Sequence, residues 1–86
     1  VAKSPASGKG IKGRAGKDPE LVAFGARVRA LREAAEKTQE ELAHVAGLHW
    51  TYVGQIERGE RNATFKNVLK LARGLGVDAA QLVQDG

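Results

Sequence analysis

The sequence predicts an all-α domain of five short helices behind a basic N-terminal tail, on three observations. Apolar residues recur at three and four residues through four separate stretches between residues 21 and 75. No run of strand length shows the alternation of a half-buried strand. Residues suited to capping stand before these stretches, and glycines or polar loops stand after them.

Residues 1–17, VAKSPASGKGIKGRAGK, hold four of the 11 glycines, a proline, two serines and one large aliphatic residue, Ile11, beyond the terminal valine. Such a segment buries too little apolar surface to offset its ordering entropy, so it is expected to be a disordered basic tail. It is either a solvated tail or an arm that lies along phosphates or in a minor groove. The folded domain is expected over residues 18–86.

The first helix opens at DPEL, where Asp18 can accept from free backbone N–H groups and Pro19 fills a position that needs no N–H. Leu21, Phe24, Val28 and Leu31 give it one apolar face, and it should fray near Glu36 and Lys37. TQEE opens the second helix as a capping box between Thr38 and Glu41. Leu42, Val45 and Ala46 form its expected buried stripe, and Gly47 stops it, because glycine takes a left-handed conformation without Cβ strain. The third helix runs from about His49 to Arg58 and is closed by Gly59. After the loop ERNA, Thr64 caps a fourth helix with Phe65, Val68, Leu69, Ala72 and Leu75 on its apolar face, ended by Gly76. Asp78 and Gln81 offer a last cap pair, with Val77 placed to staple against Leu82.

Composition narrows the function. The 86 residues include no cysteine and only two histidines, His44 and His49, which removes disulfides and thiolate zinc sites and argues against a structural metal. No cofactor and no small-molecule effector is evident. With no apolar run near the length of a membrane span and no secretory signal, the expectation is a soluble cytoplasmic protein, nucleoid-associated when bound to DNA. Catalysis is disfavoured: there is no cysteine nucleophile and no phosphate-cradling glycine loop, and the two histidines, five apart, point away from each other on a continuous helix. Of the 14 Lys and Arg residues, five lie in the tail, so nine cations face all ten acids in the remainder. A net charge of +4 therefore belongs to the tail, and any anion bound by the folded part must be attracted by local cations and dipoles.

The residues around Gly47 describe two short helices that can pack crosswise, with Ala43 and Ala46 small enough for the axes to approach. On the second of them Val53 and Ile56 face inward, which leaves Thr51, Gln55 and Arg58 aligned on the far side. Those side chains suit a major groove. Gln can pair bidentately with adenine, Thr can bond a base edge or cover thymine's methyl, and Arg can reach guanine or phosphate.

Taken together, Gln39, Ala43, Gly47, Val53 and Ile56, followed by IERGERN at residues 56–62, resemble the helix-turn-helix of the lambda-repressor-like (Xre, Cro and phage-repressor) family over roughly residues 20–84. The stretch TYVGQIERGERNATFKN resembles in particular the controller proteins of restriction-modification systems. The resemblance implies a five-helix lambda-repressor-like DNA-binding domain, with the third helix as the recognition helix of a homodimer on double-stranded DNA. Carried over by position, Gln39 anchors a phosphate; His49, Trp50, Thr51 and Gln55 are base-reading or groove-facing; Tyr52, Arg58, Arg61 and Asn62 grip the backbone. Arg32 and Glu57 take the places of a structural ion pair. His49 departs from the usual Ser, Thr or Asp cap, and Glu36–Lys37 from a common Gly-Leu pair.

Trp50 either rests against sugar and thymine methyls, its indole N–H reaching a phosphate, or folds back over Leu48 or the second helix as partial core. Leu75, Val77, Leu82 and Val83 exceed what so small a core needs and are expected to form the dimer contact. The alternative is a protein-protein module on the same fold, a bridging coactivator or an antitoxin, and indifference to duplex DNA at low salt would favour it over a duplex binder whose affinity falls steeply as salt rises.

Overall fold

A computed structural model describes residues 18–83, so the tail at 1–17 lies outside the described residues. The described chain forms five helices and no strand: α1 Pro19–Ala34, α2 Gln39–Ala46, α3 Trp50–Glu57, α4 Phe65–Leu75 and α5 Ala79–Val83. The elements follow from local chemistry. The Glu20 N–H donates to the Asp18 carboxylate at 2.8 Å. Thr38 and Glu41 form both halves of a capping box, at 3.0 and 2.8 Å, and the Asn67 N–H donates to the Thr64 hydroxyl at 3.1 Å. Gly47 and Gly76 end α2 and α4 at φ 73° and 72°. At the start of α5 the Asp78 N–H donates to the Gln81 side chain at 3.2 Å.

Helix α1 ends without a glycine. After α1, Glu36 takes φ 60°, so a side chain sits in a left-handed conformation that costs an L-residue about 1–2 kcal/mol. Its N–H donates to the Glu33 carbonyl at 2.9 Å, and the next N–H reaches the Arg32 carbonyl at 3.1 Å. These turn bonds hold the conformation against its cost. Glu36→Gly is expected to raise stability by about 0.5–1 kcal/mol, the strain relieved less the entropy that glycine loses. A urea midpoint that stays or falls would contradict this account of the turn.

The core lies between the five helices, every one of which contributes to it. Val28, Leu42, Val53, Ile56, Leu71 and Leu82 are fully buried, with Ala43, Ala46, Ala72 and Leu75 nearly so. Burial of these side chains removes apolar surface from water at roughly 25 cal/mol per Å². Contacts run α1 to α3, α2 to both α3 and α4, and α4 to α5, which returns to α1. The Arg27 guanidinium secures that return, donating to the Leu82 carbonyl at 2.8 Å.

Several expected core and surface positions change place. Val45 is 54 % exposed. At about 100° per residue it lies far around α2 from the Leu42, Ala43 and Ala46 side that meets the core. Phe65 is 75 % exposed. Helical side chains tilt toward the N-terminus, so at the first turn of α4 its ring points past the end of the core. Leu71, absent from the expected stripe, is fully buried, and Leu69 is half-buried. Of the four residues expected at a dimer contact, Leu75 and Leu82 belong to the monomer core and Val77 packs against it. Only Val83 remains largely exposed. The apparent surplus disappears because α5 folds back onto α1 and consumes it.

Candidate nucleic-acid interface

The α2–turn–α3 unit is held at three points. At the turn, the Leu48 N–H reaches the Ala43 carbonyl at 2.9 Å, the six-to-one bond of a glycine-ended helix. Ala43 and Ala46, buried where the helices approach, allow the crossing, and Val53 and Ile56 fix which side of α3 faces inward. The third point is polar. Arg32 on α1 grips Glu57 at the end of α3 through two hydrogen bonds, Nε to Oε2 at 2.6 Å and Nη2 to Oε1 at 3.0 Å. The Glu57 side chain is only 3 % exposed and that of Arg32 12 %.

That pair extends in both directions. Arg32 Nη1 donates to the Lys37 carbonyl at 2.8 Å, which fixes the turn between α1 and α2. On the other side Gln39 Nε2 donates to Glu57 Oε1 at 3.0 Å, which orients the amide at the first residue of α2. The hydrogen bond to Glu57 raises the Arg32 pKa above its ordinary value, against burial that lowers it, so the cation persists throughout the physiological range.

The opposite side of α3 faces water. Thr51 is exposed and Gln55 half-buried. His49 caps the helix although histidine seldom does so. Its Nδ1 accepts from the Thr51 N–H at 3.1 Å, which requires that nitrogen to be unprotonated. Trp50 is 53 % exposed and stacks on the His49 ring, centroids 5.9 Å apart and planes inclined by 24°. The indole therefore stands outside the core cluster.

The flanking residues form a second cluster. Tyr52 is half-buried, and its hydroxyl accepts from Asn67 Nδ2 at 3.0 Å. Arg61 lies over the Tyr52 ring, 5.3 Å from its centroid, and donates through Nη1 to Gln55 Oε1 at 3.3 Å. Arg58 pairs with Glu60 at 3.1 and 3.2 Å on the surface. Asn62 is exposed and, with Phe24, Val68 and Leu82, helps to line a groove of about 450 Å³. The structure thus gathers Gln39 with Arg32 and Glu57, and Gln55 with Tyr52 and Arg61. Asn62 joins neither group and borders the groove.

Two participants escaped the sequence reading. Asn67 fixes the tyrosine hydroxyl, and nothing local in the sequence marks it. Gly25 is buried in the middle of α1, against the last turn of α3. A Cβ there would stand 2.2 Å from the Ile56 carbonyl oxygen and 2.7 Å from that of Glu57. The signal was present, since a glycine inside a helix costs about 1 kcal/mol relative to alanine and asks for a reason. Gly54 differs. Its Cβ would meet only the ends of the Arg58 and Gln39 side chains, at 3.1 and 3.4 Å.

The sequence pattern of the helix-turn-helix family HTH_3 matches residues 28–82, which spans α2, the turn, α3 and most of the helices that support them. The chain belongs to the HTH_3 family. As an HTH_3 protein it is a DNA-binding transcriptional regulator, and the resemblance carried by Gln39, Gly47 and IERGERN is borne out. Among its relatives, the control protein C.SmaI of Serratia marcescens is 41 % identical over 56 residues, covering 65 % of this chain and 67 % of the relative. The control protein C.BamHI of Bacillus amyloliquefaciens is 41 % identical over 61 residues, covering 70 % and 75 %. The crystal structure of the restriction-modification controller protein C.AhdI from Aeromonas hydrophila superposes with a TM-score of 0.75 at 46 % identity, covering 76 % of this chain and 98 % of that one. Among the described residues, no helix of this HTH_3 chain is long and apolar enough to cross a membrane, and no cluster of His, Asp or Glu could hold a metal.

Proposed function

We propose that the protein regulates transcription as a sequence-specific homodimer, each α3 seated in a major groove of double-stranded DNA, in the manner of a restriction-modification controller. One observation carries the reading: Thr51 and Gln55 occupy the solvent side of a short helix whose other side, Val53 and Ile56, is fully buried. Side chains on so constrained a helix are presented to a groove with little ordering left to lose. His49, Trp50, Thr51 and Gln55 are assigned to the groove. Gln39, Tyr52, Arg58, Arg61 and Asn62 are assigned to sugar and phosphate, with Arg32 and Glu57 as scaffold.

The N-termini of α2 and α3 add partial positive charge where phosphates would lie. This matters because the folded region carries no excess of cations. The tail at residues 1–17, with its five cations, is proposed as a separate segment from the domain at 18–86. Dimerisation rests on a smaller apolar surface than the sequence suggested, with Val83 its remaining member, and on the likeness to the controller proteins.

Selection from randomised duplexes tests both parts. The expected product is an inverted repeat with half-sites about one helical turn apart, bound with an affinity that falls steeply as salt rises. Enrichment of a single half-site would rule out the homodimer. No enrichment, with indifference to duplex at low salt, would rule out DNA reading altogether.

A further inference from the structure

We infer that Arg61, besides the sugar-phosphate contact assigned to it above, orients the Gln55 amide so that Gln55 selects guanine, whose groove edge offers two acceptors, over adenine. The inference rests on the proposed seating of α3 in a major groove. Arg61 Nη1 donates to Gln55 Oε1 at 3.3 Å. A guanidinium carries only donors, so the amide atom that faces it must be oxygen. The amide NH2 then points away from Arg61.

Arg61 is also held from a second side. Its guanidinium carbon lies 5.3 Å from the centroid of the Tyr52 ring, and that ring is fixed in turn by the bond from Asn67 to the hydroxyl. The chain delivers Arg61 to this place by turning at Gly59, φ 74°, with the Glu60 N–H closing onto the Gln55 carbonyl at 2.9 Å. Gln55, Tyr52 and Arg61 therefore form one unit across the α3 end and the loop behind it.

The consequence concerns hydrogen-bond polarity. A bidentate pair with adenine requires glutamine to accept from N6–H and donate to N7. The Gln55 oxygen already accepts from a cation, and the positive charge beside its second lone pair works against a further N–H. What the unit leaves for the base is the pair of donors on the Gln55 amide NH2, while the remaining guanidinium N–H groups are left for phosphate. Guanine answers that pair with O6 and N7, both acceptors. The adenine pairing that glutamine alone would favour is thereby disfavoured by its neighbour.

Base-preference profiles from randomised duplexes, taken on the full chain and on Arg61→Ala, Gln55→Ala and the double variant, test this. The position read by Gln55 is the one whose preference Gln55→Ala flattens. The wild-type profile should show guanine there. Arg61→Ala should move the guanine-to-adenine ratio at that position toward adenine by about tenfold, and it should change nothing further at that position once Gln55 is alanine. The readout is a ratio within each variant, so a reduced folded fraction leaves it unaffected. Arg61→Ala weakening all sequences equally, with the ratio unchanged, would overturn this inference while leaving the proposed function intact, as would a wild-type preference for adenine. A flat wild-type profile would remove both.

Discussion

Gly25→Ala is expected to destabilise the protein by about 3 kcal/mol or more, the upper range for forcing an atom into a packed interior. The added methyl would stand 2.2 Å from one backbone oxygen of α3 and 2.7 Å from the next. Neither belongs to a side chain that can swing aside, so α1 and α3 must separate. For a domain of this size, whose total stability is about 5–10 kcal/mol, the loss should lower the melting temperature by roughly 10–20 °C. Gly54→Ala serves as the comparison. It gains helix propensity and displaces only flexible side-chain ends, so its melting temperature should stay close to that of the parent. Equal behaviour of the two variants in thermal unfolding would show that close approach of α1 to α3 is not what Gly25 provides.

Arg32→Ala should have the second large effect, about 3–5 kcal/mol. Removing the guanidinium leaves the Glu57 carboxylate, 3 % exposed, with only the Gln39 amide as partner, and also frees the Lys37 carbonyl that Arg32 Nη1 holds. Most of the cost is the burial of an uncompensated charge, not the worth of the ion pair itself. The double replacement Arg32→Met with Glu57→Met should therefore recover at least half of the lost stability in urea unfolding. DNA affinity should not recover with it, because Gln39 then loses the carboxylate that orients its amide. A double variant as unstable as Arg32→Ala would locate the cost in the lost shape of the site, and full recovery of affinity would deny Gln39 its dependence on Glu57.

The two substitutions probe different kinds of information in the chain. Thr38 with Glu41, Asp18 with Glu20, Thr64 with Asn67 and the left-handed glycines at 47 and 76 involve partners within four residues. Such bonds depend on local backbone geometry alone, so helix number, order and ends were legible before any fold was known. The inward and outward sides of α3 were legible for a related reason, since Val53 and Ile56 recur at helical spacing with Thr51 and Gln55 opposite.

Burial of Leu75 and Leu82, exposure of Phe65 and Trp50, and the orientation of the Gln55 amide were decided by tertiary structure. Leu82 is buried because α5 returns to α1, where Arg27, 55 residues earlier, takes its carbonyl. Gln55 is oriented because a turn at Gly59 brings Arg61 back over Tyr52. A residue's spacing fixes the side of the helix it occupies, because the backbone repeat is set by its own hydrogen bonds. Whether that side meets solvent, a leucine or a guanidinium depends on elements far along the chain, and only their packing together supplies the answer.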